Sequence, residues 1–317
     1  MPLLHTAARR TIGAVAGVGL LGTSTLAWGY VERRFPTLRR YDVFLPSTRN
    51  IDLRILHIAD LHMFGGQEFI RDFLMRLAQE EEMDFVVSTG DNFGGHDGLA
   101  LAVDAHAPFF DLPGAFVFGS NDYYSPERKS WTRYLRKDPR TARSRSRNVP
   151  DLPWEELRST FIGAGWVDCS NASHSLPLTT ATGPLTLALI GVDDPHIHRD
   201  RFPIPSPEWT NEQPDTARLR LGLTHAPYRR VLDAMTDAKA DLILAGHTHG
   251  GQFGLPGVRS LVTNCDLPRA HGKWMSTWEH DGSTSLLHVS AGLGTSPYVP
   301  FRIATRPEAA LIHIRSV

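Results

Sequence analysis

The chain has 317 residues, of which 41% are hydrophobic and 21% are charged, and its formal net charge is -1. This length allows one large α/β domain or two small ones, and the hydrophobic content can fill such a core. A balanced charge excludes the broadly basic surface that general nucleic-acid binding requires, so no specific nucleic-acid partner is expected. Cys169 and Cys265 are far apart in the sequence and predict neither a disulfide framework nor a thiolate zinc site.

The amino-terminal residues 11–31 carry no charge. About 20 such residues in a helix cover the hydrocarbon core of a bilayer, which predicts anchoring at the cell membrane. Arg9 and Arg10 also suit the start of a secretory signal, whereas the arginines at 33, 34, 39 and 40 favour a cytoplasmic position for that flank. The side of the membrane therefore stays open. We predict a membrane segment and linker over residues 1–40 and one domain over 41–317.

Short apolar runs alternate with helical patterns along the rest of the chain. After a linker at residues 35–50, apolar runs predict strands at 53–59, 84–89, 115–118, 185–190, 219–223, 242–245, 286–290 and 309–314. Apolar residues at helical spacing predict helices at 67–83, 99–110 and 228–238. This alternation indicates the α/β class.

Polar side chains follow five of the predicted strands. They stand in the segments Asp60-Leu61-His62, Gly90-Asp91-Asn92, Gly119-Ser120-Asn121-Asp122, Thr224-His225 and Gly246-His247-Thr248-His249. Open α/β sheets bind ligands beyond the carboxyl ends of their strands, so we expect these side chains to converge. Carboxylate and imidazole together suit manganese, iron or zinc. One carboxylate can bridge two ions about 3.5 to 4 Å apart, and Asp91 is the predicted bridge.

Taken in order, these segments resemble the motifs of the calcineurin-like metallophosphoesterases: D-x-H, G-D, G-N-H-(D/E), a lone His and G-H-x-H. The resemblance covers about residues 53–314, and an apolar amino terminus together with Gly246–Gln252 is similar to the membrane-anchored bacterial branch. It implies a four-layer αββα sandwich of two mixed sheets. It also implies two divalent ions and a hydrolase that cleaves phosphomonoesters or phosphodiesters by attack of a hydroxide between the ions.

The resemblance further implies two ligand sets. One ion would be held by Asp60, His62, Asp91 and His249. The other would be held by Asp91, a side chain of the third motif, His225 and His247.

The third motif departs from the family pattern. Ser120 stands where the family has its ligand Asn, and Asn121 stands where it has a His that assists the leaving group. We predict Asn121 as the ligand because an amide oxygen is a better hard-cation ligand than a neutral hydroxyl, with Ser120 as the alternative. Asp122 either orients its neighbours or caps the turn. The predicted catalytic residues are Asp91, Asn121 and Asp122.

No imidazole in the third motif is available to protonate a leaving group. His196 or His198 could replace it, and the alternative is that both are surface residues of a turn. The altered motif also leaves a second function open, a non-catalytic metal-binding scaffold of the same fold that acts at the membrane.

A basic stretch interrupts the pattern within an insertion at about residues 125–150. Residues 127–147 include nine arginines and lysines, at 128, 129, 133, 136, 137, 140, 143, 145 and 147. Such charge blocks usually remain solvated. The alternative is a contact with anionic lipid, wall polymer or substrate phosphate through residues 128–147.

Overall fold

The computed structural model describes residues 22–46, 49–126, 149–212, 217–255 and 260–316. Its helices are α1 (residues 22–32), α2 (Glu68–Glu80), α3 (Gly98–His106), α4 (Ser120–Tyr123), α5 (Trp154–Gly163), α6 (Pro207–Thr210) and α7 (Arg229–Asp237). The strands are β1 (Thr37–Leu45), β2 (Asp52–Ile58), β3 (Phe85–Ser88), β4 (Gly114–Phe116), β5 (Val167–Asp168), β6 (Ala172–Thr180), β7 (Gly183–Gly191), β8 (Ala217–Thr224), β9 (Leu242–Ala245), β10 (Trp274–His280), β11 (Ser283–Val289) and β12 (Glu308–Ser316).

These strands form two six-stranded mixed sheets. The first has the order β1-β12-β2-β3-β4-β5, in which β2 to β5 are parallel and β12 is antiparallel to β2. The second has the order β10-β11-β9-β8-β7-β6, in which β11, β9, β8 and β7 are parallel. The predicted α/β class with two mixed sheets is confirmed.

Three apolar cores lie between neighbouring layers of the fold. Leu56 and Val86 of the first sheet pack with Phe73 of α2 and Phe161 of α5. The opposite face of that sheet packs against the second sheet, with Ile55, Phe85, Leu187 and Leu221 among the contacts. The outer face of the second sheet packs against α7 through Ile243, Val231 and Met235. The order is therefore helices, sheet, sheet, helix. Since side chains alternate across a strand, each buried strand serves two of these cores.

One predicted linker is a strand. Residues 35–50 include β1, which pairs in parallel with β12 over nine residues, so the predicted domain boundary at residue 41 falls inside this strand. β1 lies at the edge of its sheet, and from residue 40 it alternates exposed and covered positions, because one of its faces packs against the second sheet and the other faces solvent. The strand was not predicted because the adjacent Arg39 and Arg40 interrupt the alternation of polar and apolar residues in its sequence.

The predicted membrane segment, residues 11–31, lies outside the described residues as far as residue 21. Its last part belongs to α1, and Gly29 is buried against Ile303, where a Cβ atom would approach to 2.8 Å. Over the five described ranges, we find no helix with the length and apolar character that a membrane crossing needs. Most of the predicted basic insertion, residues 127–148, is likewise outside the described residues.

Candidate metal centre

The predicted ligands follow strands that run in the same direction within each sheet. In the first sheet, Asp60 follows β2, Asp91 follows β3 and Asn121 follows β4. In the second sheet, His225 follows β8 and His247 follows β9. Parallel strands end at one edge of a sheet, and the two edges meet here, so residues nearly two hundred positions apart become neighbours.

Asp60, His62 and His249 form the first group of metal-ligating atoms, which all lie within 4.8 Å of one another. The Nε2 atoms of His62 and His249 are 3.0 Å apart, and Nε2 of His249 lies 3.7 Å from Oδ1 of Asp60. Two ligands about 2.1 Å from a shared ion are separated by roughly 3.0 to 3.5 Å. The group therefore has the spacing of ligands around one cation.

The backbone is turned sharply at this group. Asp60, His62, Asp91, His247 and His249 all have positive φ angles, between 43° and 72°. Non-glycine residues rarely adopt this conformation, and such strain concentrates at functional sites. The chain therefore turns at both neighbours of Leu61, which brings the side chains of Asp60 and His62 into the same metal-ligating group.

Asp91 lies between this group and a second one. Its Oδ2 atom is 3.5 Å from Nε2 of His62 and 3.4 Å from Nε2 of His225. Asp60, Asp91 and His225 again place ligand atoms within 4.8 Å of one another. All three side chains are buried. A carboxylate in this position can contact an ion on each side.

His225 offers a test of whether a cation fits. The carbonyl oxygen of Thr89 lies 2.7 Å from Nδ1 of His225, and a carbonyl only accepts, so Nδ1 carries the hydrogen. Nε2 of the neutral ring then directs a lone pair toward the carboxylate of Asp91. Nε2 is buried and has no hydrogen-bond partner among the described residues. Two electron-rich groups face each other in a dry environment, and a cation between them satisfies both.

His247 is oriented in the same manner. Its Nε2 atom lies 3.3 Å from the carbonyl oxygen of Asn264, which leaves Nδ1 of the neutral ring free to bind an ion. Its backbone N–H donates to both carboxylate oxygens of Asp60, at 3.1 and 3.0 Å. Its ring lies 5.3 Å from that of His225, centroid to centroid. This contact brings His247 to the second group.

The third motif places Asn121 rather than Ser120 against Asp91. Nδ2 of Asn121 donates to Oδ2 of Asp91, and the Asn121 backbone N–H donates to Oδ1, both at 2.7 Å. Asn121 thus contacts the predicted bridging carboxylate through both its side chain and its backbone. A Cβ atom at Gly119 would lie 2.3 Å from Oδ1 of Asp91, so the close approach requires glycine there.

Asp122 holds the second and third motifs together. Its buried carboxylate accepts hydrogen bonds from the backbone N–H groups of Asp91, Asn92 and Gly119, each at 2.8 Å, and from Nδ2 of Asn92 at 3.0 Å. Burial raises the pKa of Asp122 to about 6, although these donors oppose the shift. The contacts match both roles left open for Asp122, because those with Asp91 and Asn92 orient its neighbours and the one with Gly119 caps α4.

His196 and His198 differ in position. His196 belongs to a 3₁₀ turn, Pro195–Ile197, and its ring centroid is 4.6 Å from that of His247. Its Nδ1 atom is 3.0 Å from the hydroxyl oxygen of Tyr228. His198 is exposed. Of the two histidines, only His196 lies at the metal-ligating groups.

The sequence patterns missed the turn after β11 and Arg302. Gly292 has φ +70°, and a Cβ atom there would lie 2.6 Å from Cβ of Asp60. The fully buried guanidinium of Arg302 donates to the carbonyl oxygens of Ala291, Gly292 and Gly294, and its NH2 group lies 3.2 Å from Nδ1 of His249. The glycines at 292 and 294, shortly after the predicted strand 286–290, were the available sequence signal for this turn. No pattern in the sequence distinguishes Arg302 from the other arginines.

The pKa shifts describe the site without ions. Burial raises the pKa of Asp60 to about 7. Burial would also raise the pKa of Asp91, but the charges of His225 and His62 hold it well below its ordinary value. Burial lowers the pKa of His225, and the charge of Asp91 outweighs that effect and raises it well above 6.5. Burial lowers the pKa values of His62, His247 and His249, which keeps these rings neutral and able to bind a metal.

Comparisons with known proteins agree with this site. A sequence model of the family described as Calcineurin-like phosphoesterase matches residues 53–251. The chain belongs to this family. It is 26% identical over 276 residues to an uncharacterized metallophosphoesterase, YkoQ, of Bacillus subtilis, covering 85% of this chain and 86% of that protein. It is 24% identical over 271 residues to the uncharacterized protein YpbG of the same organism, covering 82% of this chain and 80% of that protein.

Among solved structures, the chain is similar to an NAD nucleotidase of Haemophilus influenzae, with a TM-score of 0.42 and 12% identity over 77% of this chain and 51% of that one. It is also similar to a purple acid phosphatase of yellow lupin, with a TM-score of 0.40 and 10% identity over 77% of this chain and 45% of that one. Similarity at this level says nothing about the activity of this chain.

Proposed function

We propose that this chain is a metal-dependent hydrolase that cleaves phosphomonoesters or phosphodiesters with two divalent ions. The observation that carries the proposal is the position of Asp91, whose Oδ2 atom lies 3.4 to 3.5 Å from a histidine nitrogen in each of the two groups, which also share Asp60. One shared carboxylate between two ligand sets is the arrangement that a two-ion clamp on a phosphoryl group requires. Membership of the calcineurin-like phosphoesterase family supports the same conclusion.

The two ligand sets divide the predicted residues. One ion would be held by Asp60, His62, Asp91 and His249, and the other by Asp91, Asn121, His225 and His247. Imidazole and carboxylate ligands suit manganese, iron or zinc. When bound, such ions supply an activated water and neutralise charge on the phosphoryl oxygens.

Three further polar groups near the ligands would position them or assist the leaving group. Asp122 and Thr89 fix the orientation of Asp91 and His225 by accepting their N–H groups. His196 is half-buried beside His247, where an imidazole would assist the departing oxygen in place of the family histidine that Asn121 replaces. Such proton transfer is worth about 10² to 10⁴ in rate.

The test is hydrolysis of a chromogenic phosphodiester by the purified full chain with added manganese. Asp91→Asn removes the shared charge and should lower turnover by about 10² or more, comparable to the loss of one strong electrostatic contact to the reacting group. Asp104→Asn, an exposed carboxylate of α3, is the matched control and should remain fully active. Full activity of the Asp91 variant would refute the role of Asp91. Metal binding without turnover on any monoester or diester would favour the scaffold function instead.

We also propose that the protein acts at the cell membrane, anchored through residues 11–31. The uncharged sequence of this segment supports the proposal. The basic residues between 128 and 147 would add contacts with anionic lipid or wall polymer. Fractionation of cells that produce the chain with and without residues 1–21 tests the anchor.

A further inference from the structure

The amino-terminal helix α1 presents apolar side chains to solvent. Residues 22–28 are exposed all round the helix, and large apolar side chains remain exposed to residue 35. We call this set the apolar collar; its members are Leu26, Trp28, Tyr30, Val31 and Phe35. Trp28 and Phe35 are 60% and 53% exposed. A folded domain rarely exposes a contiguous set of this kind without a partner.

The base of α1 is fixed to the domain by a small number of contacts. The carbonyl oxygen of Gly29 accepts a hydrogen bond from the backbone N–H of Arg302 at 2.9 Å. The buried carboxylate of Glu32 accepts from the backbone N–H groups of Ala304 and Thr305, at 3.0 and 2.9 Å. The collar is therefore held in a fixed orientation and is not a trailing end of the chain.

The same contacts connect the collar to the metal centre. Arg302 binds Gly29 through its backbone, while its guanidinium lies 3.2 Å from Nδ1 of His249. A Cβ atom at Gly250 would lie 2.8 Å from Cγ2 of Thr305, so this loop also packs directly against the G-H-x-H motif. Whatever covers the collar lies close to the metal-ligating groups.

Two arginines border the collar. Arg34 lies over the Tyr30 ring, with 5.5 Å from Cζ to the centroid. Arg34 and Arg76 line an open depression of about 410 Å³ whose floor includes Phe69 and Met75. Asp72 also lines this depression, but it is paired with Arg71. Neither Arg34 nor Arg76 forms an ion pair with a carboxylate in the described ranges.

We propose that the apolar collar and the Arg34–Arg76 depression form a contact surface for an anionic lipid bilayer. Tryptophan, tyrosine and arginine together are typical of the lipid–water interface. Arginines near such a surface are attracted to anionic headgroups. The occupant is further indicated by the chain that precedes α1, because residues 11–21 are uncharged and lead directly into the exposed turns. This proposal rests on the proposed anchor, which includes every collar residue except Phe35, and extends it to Arg34, Phe35 and Arg76 of the folded domain; it does not depend on catalytic activity.

The experiment uses the full chain in vesicles of phosphatidylcholine and phosphatidylglycerol that contain brominated phosphatidylcholine, which quenches tryptophan at the interface. We expect quenching in the unmodified chain, most of which is lost in Trp28→Phe. Phe44→Ser changes another aromatic residue, 57% exposed on β1, and should keep the quenching. Equal quenching with and without Trp28, in vesicles that carry the protein, would overturn the proposal.

A second comparison tests the arginines. Quenching of Trp28 should be stronger in vesicles with phosphatidylglycerol than in pure phosphatidylcholine, and the double variant Arg34→Glu, Arg76→Glu should lose this difference. Arg229→Glu, at an exposed position of α7, should retain it. If the double variant keeps the difference, the depression does not contact lipid. If sedimentation shows a dimer that Trp28→Ser dissociates, the collar binds a second copy of the chain and the proposal fails.

Discussion

Nε2 of His225 lies 3.4 Å from Oδ2 of Asp91, and both side chains are buried. The hydrogen of the neutral His225 ring is on Nδ1, which donates a hydrogen bond to the carbonyl oxygen of Thr89. A proton or a metal ion must therefore occupy the space between the two groups. The raised pKa of His225 describes the first case, and the family of the protein indicates the second.

This relationship predicts how metal-free stability depends on pH. Without metal, the pKa values of Asp60 and Asp194 are raised to about 7 by burial, and that of His225 is raised well above 6.5. Above about pH 7.5 the folded protein thus holds protons, on His225 above all, that the unfolded chain has released, so stability is lost as the pH rises further. Burial also lowers the pKa values of other histidines, which act with the opposite sign until the unfolded chain has released its histidine protons at about pH 7.5. These are His57, His62, His106, His247, His249 and His288.

The measurement is the melting temperature of chelator-treated protein from about pH 7.5 to 8.5. Each proton retained costs about 1.4 kcal/mol per pH unit, which is roughly 3 °C for a domain of this size. Manganese-loaded protein should show no such decline, because bound ligands are already deprotonated. Asp91→Asn removes the charge that raises the pKa of His225 and should flatten the metal-free curve. A metal-free melting temperature that rises with pH would contradict this account.

Asp122→Asn should destabilise the fold as well as the site. The carboxylate accepts four N–H groups, and an amide would direct its own N–H toward some of these donors. Leaving buried donors unpaired costs about 1 to 3 kcal/mol each, so we expect a loss of roughly 2 to 4 kcal/mol in urea unfolding. Asp97→Asn is the control, because among the residues that the structure describes this exposed carboxylate accepts a hydrogen bond from Gly65 alone. Equal stability of the two variants would refute the organising role of Asp122.

The sequence was sufficient to predict the central strands of both sheets and the polar side chains that meet beyond their ends. Those strands are buried on both faces and read as continuous apolar runs, and the ligand types are unusual at strand ends. The strands that were missed are those at the four sheet edges, because edge strands are partly exposed and carry mixed residues: β1, β5, β6 and β10. Arg302 was missed for a different reason. Its role depends on carbonyl groups of a turn that only the tertiary fold brings around it.

The choice between Ser120 and Asn121 shows the same limit. Ligand chemistry favoured the amide of Asn121 over the hydroxyl of Ser120. The sequence does not show which of these two side chains of α4 faces Asp91. The hydrogen bonds of Asn121 to both oxygens of Asp91 depend on that rotation and on the absence of a side chain at Gly119.

The effect of His196→Asn on turnover should depend on the leaving group of the substrate. If His196 assists the departing oxygen, the variant should lose about 10² to 10⁴ in turnover on an alkyl phosphate ester. A p-nitrophenyl ester needs little protonation of its leaving group and should be hydrolysed at nearly the original rate. His198→Asn is the matched control, since His198 is exposed and its left-handed backbone, φ 59°, tolerates asparagine. An equal loss on both esters would indicate that His196 only supports His247.

Arg302→Lys should weaken the metal centre through His249. Lysine keeps the charge but lacks the planar group that donates to four carbonyl oxygens together, one of them the backbone carbonyl of His249. Groups that orient a ligand typically contribute 10- to 100-fold in metal affinity or activity. We therefore expect activity at low manganese to fall by about that factor and to recover in part at saturating manganese, whereas Arg306→Lys, at an exposed neighbour, should change neither. A variant that melts normally and needs no additional manganese would show that Arg302 supports the turn after β11 without orienting His249.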